Sequence, residues 1–243
     1  AIGSVVAIVV VKQFFGGIGQ NFVNPALVGR IVLMASFPTM MSTWVQPFAW
    51  RGVQVVTTAS PLASISSMFT AGDVSAAATA SNPALPSLWQ MLIGQRQGSL
   101  GEVCALALLL GFAYLLIRRV ITPVIPLTYI GTVAVIMLIA GKGSLSFVAY
   151  EILGGGLLLG AIFMATDYTT SPINFKGKLI YGVGCGILTA LIRLFGSLPE
   201  GVSFSIIIMN ILVPHIERLT TPKPFGSAKT PKKKQSRKKE AGA

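Results

Sequence analysis

The sequence predicts an all-α polytopic membrane protein. Its mean hydropathy is +0.74, 53% of its residues are hydrophobic and only 11% are charged. Soluble domains carry charge on about a quarter of their residues, so this composition excludes an ordinary soluble domain. Seven apolar segments approach the length that a helix needs to cross a bilayer: 1–14, 26–46, 103–119, 124–141, 146–166, 177–195 and 201–217.

The chain divides into a transmembrane domain, 1–219, and a basic tail, 220–243. Eight of the 19 Lys and Arg residues follow Pro222, which leaves 11 basic and 6 acidic residues before it. The tail has no aromatic residues to accompany its charges after Phe225, so it does not predict nucleic-acid binding. It predicts a disordered cytoplasmic segment that lies near anionic lipid, and the lipid bilayer is the expected surrounding of the rest.

The distribution of basic residues predicts the orientation of the helices. By the positive-inside rule, the cytoplasmic side holds the tail and the connections near Lys12, Arg118–Arg119 and Lys176–Lys178. The outer side then holds the segment 47–102 and the turns near Lys142 and Pro199. An outer connection of this length is typical of a functional or a disordered loop.

Two Asx/Ser-Pro pairs, Asn24-Pro25 and Ser171-Pro172, each open or interrupt an apolar segment. Proline suits a first helical turn, and the polar residue before it can cap the free amides. Two such interruptions far apart in the chain are typical of half-helices from inverted repeats, whose N-termini favour an anion. Simple helix capping explains either pair equally well.

Glu151 and Asp167 are the acids closest to membrane depth. Acids inside a membrane are costly and usually functional, so both are candidates for an ion pathway. Asp167 adjoins Thr169 and Thr170, and together they offer hard oxygen ligands for Na⁺ or a proton relay; N-capping of the next helix is the alternative. The sequence leaves open which acids pair with the two cations of this region, Arg30 and Arg193.

The chain offers no signs of catalysis or metal binding of its own. Cys104 and Cys185 lack metal-ligand spacing and are expected to be small buried hydrophobes. There is no phosphate-cradling glycine loop, nucleophile–His–acid set or dinucleotide fingerprint, so no catalytic residue is predicted. Any redox function therefore depends on a bound cofactor.

Residues 56–62 read VTTASPL and place three hydroxyls, on Thr57, Thr58 and Ser60, within four positions. The proline that follows, Pro61, is expected to discourage a helix. The pattern predicts a bare loop at the membrane surface, which is either an ordinary polar loop or an attachment segment.

This segment resembles the flavin-attachment motif of the family that contains the D subunit of the Rnf ion-translocating electron transport complex and the B subunit of the sodium-pumping quinone reductase. Three further segments resemble the same family in order and spacing: 16–30 (GGIGQNFVNPALVGR), 163–172 (FMATDYTTSP) and 199–204 (PEGVSF). The resemblance extends to about Leu219. It implies a urea-transporter-like helical bundle with inverted repeats, and first helices that precede Ala1.

The resemblance implies that FMN is joined through its phosphate to Ser60, which stands where the family usually has Thr. Thr57 and Thr58 flank this position, and Asn24, Thr169 and Thr170 are the other candidate cofactor-binding residues. The implied function is that of a subunit that couples electron transfer between ferredoxin and NAD to Na⁺ or H⁺ transport. A passive solute channel of the same fold is the alternative.

The resemblance also implies a setting. The partners would be the other Rnf subunits (A, B, C, E and G) in a bacterial or archaeal inner membrane. The distribution of basic residues given above predicts that the tail is cytoplasmic and that the flavin loop lies on the outer face. It leaves open a second, noncovalent flavin between helices.

Overall fold

A computed structural model of the chain describes residues 1–45, 57–58, 60–70, 85–196 and 201–222. Each of the seven predicted apolar segments contains a helix, which confirms the all-α prediction. The helices are α1 (Ile2–Gln13), α2 (Pro25–Ser36), α3 (Pro38–Ser42), α4 (Pro61–Thr70), α5 (Leu88–Ile93), α6 (Ala105–Ile117), α7 (Val124–Ala140), α8 (Leu145–Leu153), α9 (Leu157–Met164), α10 (Phe175–Phe195) and α11 (Val202–Thr220).

One short strand pair accompanies the helices in the described ranges. β1 (Trp44–Val45) and β2 (Thr57–Thr58) are antiparallel, with Trp44 opposite Thr58 and Val45 opposite Thr57. The pairing brings the two ends of the segment between them together. Thr57 and Thr58, the first two hydroxyl residues of the 56–62 motif, are therefore paired through their backbone with β1.

Among the helices in the described ranges, α10 and α11 are long and apolar enough to cross a membrane alone. α8 and α9 are long and apolar enough only when taken together, and they form a third span if this bent pair crosses the membrane as one unit. The other apolar helices, α1, α2, α6 and α7, are shorter. The apolar segment predicted over 146–166 is therefore occupied by two helices, which meet at 64°.

The break between α8 and α9 falls on three consecutive glycines. Gly155 has a φ of +59°, a left-handed conformation that glycine adopts at little cost. A Cβ on Gly154 would lie 2.5 Å from the Tyr150 carbonyl oxygen, so a side chain at this position would clash with the end of α8. These glycines thus bend the chain, besides allowing close contacts.

Two other glycines allow α7 and α10 to approach closely. A Cβ on Gly182 would lie 2.0 Å from Thr128 Oγ1, and one on Gly186 would lie 2.5 Å from Thr132 Cβ. Both threonine hydroxyls donate to backbone carbonyls of their own helix, each at 2.7 Å. Small residues on α10 thus permit close helix packing.

The core lies between α7, α8, α9, α10 and α11. Its largest fully buried side chains include Tyr129, Phe147, Tyr150 and Tyr181. Tyrosine carries a hydroxyl that needs a partner when it is buried. The hydroxyls of Tyr129, Tyr150 and Tyr181 therefore each have a hydrogen-bond partner in this interior.

Candidate functional site

The predicted attachment position, Ser60, lies at the N-terminus of α4. Its Oγ accepts a hydrogen bond from the Ala63 amide at 3.3 Å, and the side chain is half-buried. The expectation that Pro61 discourages a helix was wrong, because proline in the first turn loses only an amide hydrogen that has no intrahelical acceptor. Residues 46–56 and 59, which include part of the motif, lie outside the described residues.

Apolar side chains of α4 anchor this segment to the helical core. Leu62 is 2% exposed and Ile65 is fully buried. A Cβ on Gly154 would lie 3.4 Å from Leu62 Cδ1, so Leu62 contacts the backbone at the break between α8 and α9. Leu62, two positions after Ser60, thus packs against the break between α8 and α9.

A buried ion pair lies at this break. Arg193 Nη1 donates to Glu151 Oε2 at 2.9 Å and to the Glu151 carbonyl oxygen at 2.6 Å. Arg193 Nη2 also reaches the Gly154 carbonyl oxygen at 3.5 Å. The guanidinium therefore neutralises the acid and binds carbonyls that the end of α8 leaves without helical partners.

A second charged group approaches the same glycines from the connection between α5 and α6. Arg96 donates to the carbonyl oxygens of Glu102, Val103 and Gly155. The Glu102 carboxylate accepts from the Ser99 amide at 3.0 Å and lies 3.6 Å from Arg30 Nη1. Arg96 and Glu102 are 4% and 1% exposed.

The five residues Arg30, Arg96, Glu102, Glu151 and Arg193 form one charged network around the break. The sequence predicted Glu151 as an ion-pathway acid with its pairing left open, and it did not identify Arg96 or Glu102, which it assigned to the outer connection. The structure resolves the open pairing: Arg193 binds Glu151 and Arg30 lies against Glu102. Acidic residues are rare in this chain, and this rarity could have drawn attention to Glu102 in the sequence.

A polar cluster forms where α2 begins and α9 ends. Asn24 caps α2, with its Oδ1 accepting from the amides of Ala26 and Leu27 at 3.1 and 3.4 Å, which confirms the capping prediction. Its Nδ2 lies 3.5 Å from the Met164 carbonyl oxygen at the end of α9. The N-terminus of one helix and the C-terminus of another therefore meet at Asn24.

Asp167 lies just after α9 and closes a turn. Its carboxylate accepts from the Thr169 amide at 3.3 Å and from the hydroxyls of Thr169 and Thr170 at 2.9 and 3.4 Å. The alternative that Asp167 caps the next helix was wrong, because α10 begins at Phe175 after Asn174. The expected opening of a helix at Ser171-Pro172 was wrong for the same reason.

Two asparagines that the sequence did not single out complete this cluster. Asn21 Nδ2 donates to Thr169 Oγ1 at 3.3 Å. Asn210 lies 2.6 Å from the Tyr181 hydroxyl. With its amide nitrogen toward the Thr170 carbonyl oxygen, at 3.3 Å, its oxygen accepts from the Asn24 amide at 3.2 Å. One buried amide thus bridges α10, α2 and the turn after α9.

A file of buried side chains on α10 lies between the cluster and the charged network. Tyr181, Cys185, Thr189 and Arg193 lie four residues apart on one face of α10, and all are buried. They extend along about 18 Å of the helix, at 1.5 Å per residue. This spacing was visible in the sequence as a polar stripe within an apolar segment.

The centre of the file is a closed group of three hydroxyls. The Tyr129 hydroxyl lies 2.6 Å from Thr189 Oγ1 and 2.9 Å from Ser205 Oγ, and the last two lie 2.7 Å apart. Ser205 also donates to the Val202 carbonyl oxygen at 2.8 Å. Each helix that surrounds the centre contributes one hydroxyl, so the group ties α7, α10 and α11 together.

The connections that the sequence assigned to the cytoplasm share one end of the bundle. Asn21 contacts Thr169 across two of these connections. Lys178 Nζ donates to Thr122 Oγ1 at 3.2 Å, and the Ile173 amide donates to Glu217 Oε1 at 3.2 Å. These contacts join the ends of α1, α6, α9 and α11 with the start of α10. This end carries Lys12, Arg118, Arg119, Lys176, Lys178 and Arg218.

Residues 1–226 match the NQR2, RnfD, RnfE family. The chain belongs to this family. The match covers every element described above, including both Asn24 and Ser60, which confirms the family recognised from the motifs.

Curated members of the family include three similar proteins. The chain is 44% identical over 232 residues to the D subunit of the Na⁺-translocating ferredoxin:NAD⁺ oxidoreductase complex of Acetobacterium woodii, covering 95% of this chain and 67% of that protein. It is 41% identical to the D subunit of the proton-translocating ferredoxin:NAD⁺ oxidoreductase complex of Clostridium ljungdahlii, covering 93% and 68%. The D subunit of the ion-translocating oxidoreductase complex of Stutzerimonas stutzeri is 38% identical, covering 92% and 69%.

In this family member, the predicted site residues fall into three places. Asn24, Asp167, Thr169 and Thr170 converge in the polar cluster, and Glu151 lies in the charged network. The third place is the attachment segment, where Thr57 and Thr58 form β2 and Ser60 lies at the start of α4. Among the described residues, no three His, Cys, Asp or Glu side chains converge as a metal site requires.

Proposed function

We propose that the chain is the membrane subunit of an ion-translocating oxidoreductase complex that carries FMN covalently on Ser60. The observation that carries this proposal is a hydroxyl at the N-terminus of a helix in a chain of this family. The relatives' names support electron transfer between ferredoxin and NAD⁺ as the activity of the complex. The A, B, C, E and G subunits would be the partners in a bacterial or archaeal membrane.

The residues around Ser60 fit a phosphoester. The N-terminus of α4 carries the positive end of a ten-residue helix dipole, which favours a phosphate. Leu62 and Ile65 are buried, so they hold the attachment position at a fixed place on the bundle. Bound FMN would supply one- and two-electron chemistry, while the chain fixes its position.

The polar file supports a coupling function for the same chain. Asp167 and Glu151, the two proposed ion-pathway acids, lie near opposite ends of the file. Buried polar side chains inside a membrane are costly and usually functional. The file therefore marks the path through the apolar bundle along which Na⁺ or H⁺ transport would proceed. The relatives from Acetobacterium woodii and Clostridium ljungdahlii are named for different ions, Na⁺ and protons.

Covalent flavin is tested on the denatured subunit. In-gel ultraviolet fluorescence should persist after denaturation, and peptide mass spectrometry should find the FMN mass on the fragment that contains Ser60. A subunit without fluorescence and with an unmodified Ser60 peptide would contradict the proposal and favour a passive solute channel.

We expect Asp167→Asn to leave flavin attachment intact and to impair ion transport. An amide can retain the turn with Thr169, but it cannot attract Na⁺ or accept a proton as a carboxylate does. Transport by the complex in vesicles measures the effect, and the fluorescence of the denatured subunit is the control. Normal transport by a fully flavinylated Asp167→Asn complex would leave Asp167 as a structural turn residue.

The orientation of the chain is tested with single cysteines at exposed positions. Leu100 is fully exposed near the Ser60 half of the bundle, and Ile173 is 80% exposed at the basic end. In intact cells, Leu100→Cys should react with an impermeant thiol reagent and Ile173→Cys should not. The parent chain, which contains Cys104 and Cys185, gives the background. The reverse pattern would place Ser60 on the cytoplasmic side.

A further inference from the structure

A cavity of about 230 Å³ opens at the basic end of the bundle. It lies between the connection from α6 to α7, the connection from α9 to α10, and the first turn of α10. It is separate from the charged network and from the Ser60 segment. Its lining combines one lysine and four hydroxyl-bearing residues with apolar side chains: Val120, Ile121, Thr122, Ile125, Thr166, Tyr168, Ser171, Pro172, Ile173 and Lys178.

Lys178 gives the cavity an anion-binding group. Its ammonium has three hydrogens, and the structure shows one of them donated to Thr122 Oγ1 at 3.2 Å. The remaining hydrogens can bind two oxygens of a phosphate. Thr122, which accepts from Lys178, keeps its own hydroxyl hydrogen for a further acceptor, and Ser171 adds a second hydroxyl at the rim.

The surrounding charges favour an anion. Arg118 and Arg119 follow α6 and directly precede the lining residue Val120. Among the described residues of this end, the acids are Asp167, which binds Thr169 and Thr170, and Glu217, which accepts from the Ile173 amide. The cationic groups outnumber these acids, and basic pockets between transmembrane helices on the cytoplasmic side are typical sites for anionic lipid head groups.

The rim of the cavity suits acyl chains. Tyr168 is 85% exposed and Ile173 is 80% exposed, while Ile117 and Val120 are 79% and 67% exposed. Large apolar side chains exposed beside the ends of membrane helices are expected to contact lipid. A ligand with a phosphate and two hydrocarbon chains would bind Lys178 and Thr122 through its phosphate and would contact the apolar rim through its chains. Free phosphate would bind only Lys178 and Thr122.

We infer that this cavity binds the head group of an anionic phospholipid, with Lys178 as the phosphate ligand. The lipid would hold the connections before α7 and before α10 together at the membrane surface. Lys178 and Thr122 belong to different elements, so a phosphate on both fixes their separation.

Native mass spectrometry of the purified chain, in the assembly in which it is extracted, tests this inference. Delipidated protein is incubated with dioctanoyl-phosphatidylglycerol, with the matched phosphatidylcholine or with inorganic phosphate. We expect one phosphatidylglycerol adduct in the wild type and in Lys178→Arg, and its loss in Lys178→Gln. Lys176→Gln is the matched control, because it removes an exposed lysine two residues away and should keep the adduct.

Three results would overturn the inference. These are an equal phosphatidylglycerol adduct in Lys178→Gln, equal binding of phosphatidylcholine by the wild type, and an inorganic phosphate adduct that blocks phosphatidylglycerol. The last result would assign the cavity to free phosphate. Circular dichroism of Lys178→Gln checks that the variant is folded, and Thr122→Val, which removes the other polar ligand, should weaken the adduct in a folded chain.

Discussion

Ser60→Ala should abolish covalent flavin completely. The substitution removes the hydroxyl that would form the phosphoester, and no other atom of the side chain can replace it. It also removes the cap on Ala63, which costs about 1 kcal/mol of helix stability, too little to unfold α4. Loss of in-gel fluorescence and of the FMN mass from the Ser60 peptide measures the result.

Two matched variants separate attachment from capping. Ser60→Thr keeps a hydroxyl and should retain the flavin. Ser64→Ala removes a hydroxyl one turn later, whose Oγ lies 3.5 Å from the Ser60 carbonyl oxygen, and it should also retain the flavin. Flavin that persists in Ser60→Ala would move the attachment to Thr57 or Thr58.

Arg193→Met should destabilise the bundle by about 3–5 kcal/mol, the usual effect of removing one partner of a buried ion pair. The variant leaves the Glu151 carboxyl group buried without its cationic partner, and it deprives the carbonyl oxygens of Glu151 and Gly154 of their donor. Equilibrium unfolding in mixed micelles, followed by the helical circular dichroism signal, measures the change in the free energy of unfolding.

The companion variants show whether the pair itself is responsible. Arg193→Met combined with Glu151→Gln replaces the unpaired acid with a neutral amide and should recover part of the lost stability. Arg118→Met, at an exposed position, should change the free energy of unfolding by less than about 0.5 kcal/mol. A loss below about 1 kcal/mol for Arg193→Met would show that the network is not a structural clamp at the break.

The bend between α8 and α9 illustrates where prediction from sequence reaches its limit. Three glycines within an apolar segment are compatible with a straight helix in tight contact or with a break. The break is stable here because Arg96 and Arg193 bind the carbonyl oxygens that it frees, at Gly155 and Gly154. Those donors come from residues distant in the chain, so local pattern could not choose between the two structures.

The sequence alone determined the class of the protein, the positions of its apolar helices, the Asn24 cap and the family. These features depend on composition, on periodicity and on residues within one turn of each other. Only the tertiary structure decided that Arg193 pairs with Glu151, 42 residues away, and that Asn24 reaches Met164, 140 residues away. Such contacts depend on how the helices pack, and an apolar surface that favours burial does not specify which buried polar groups will meet.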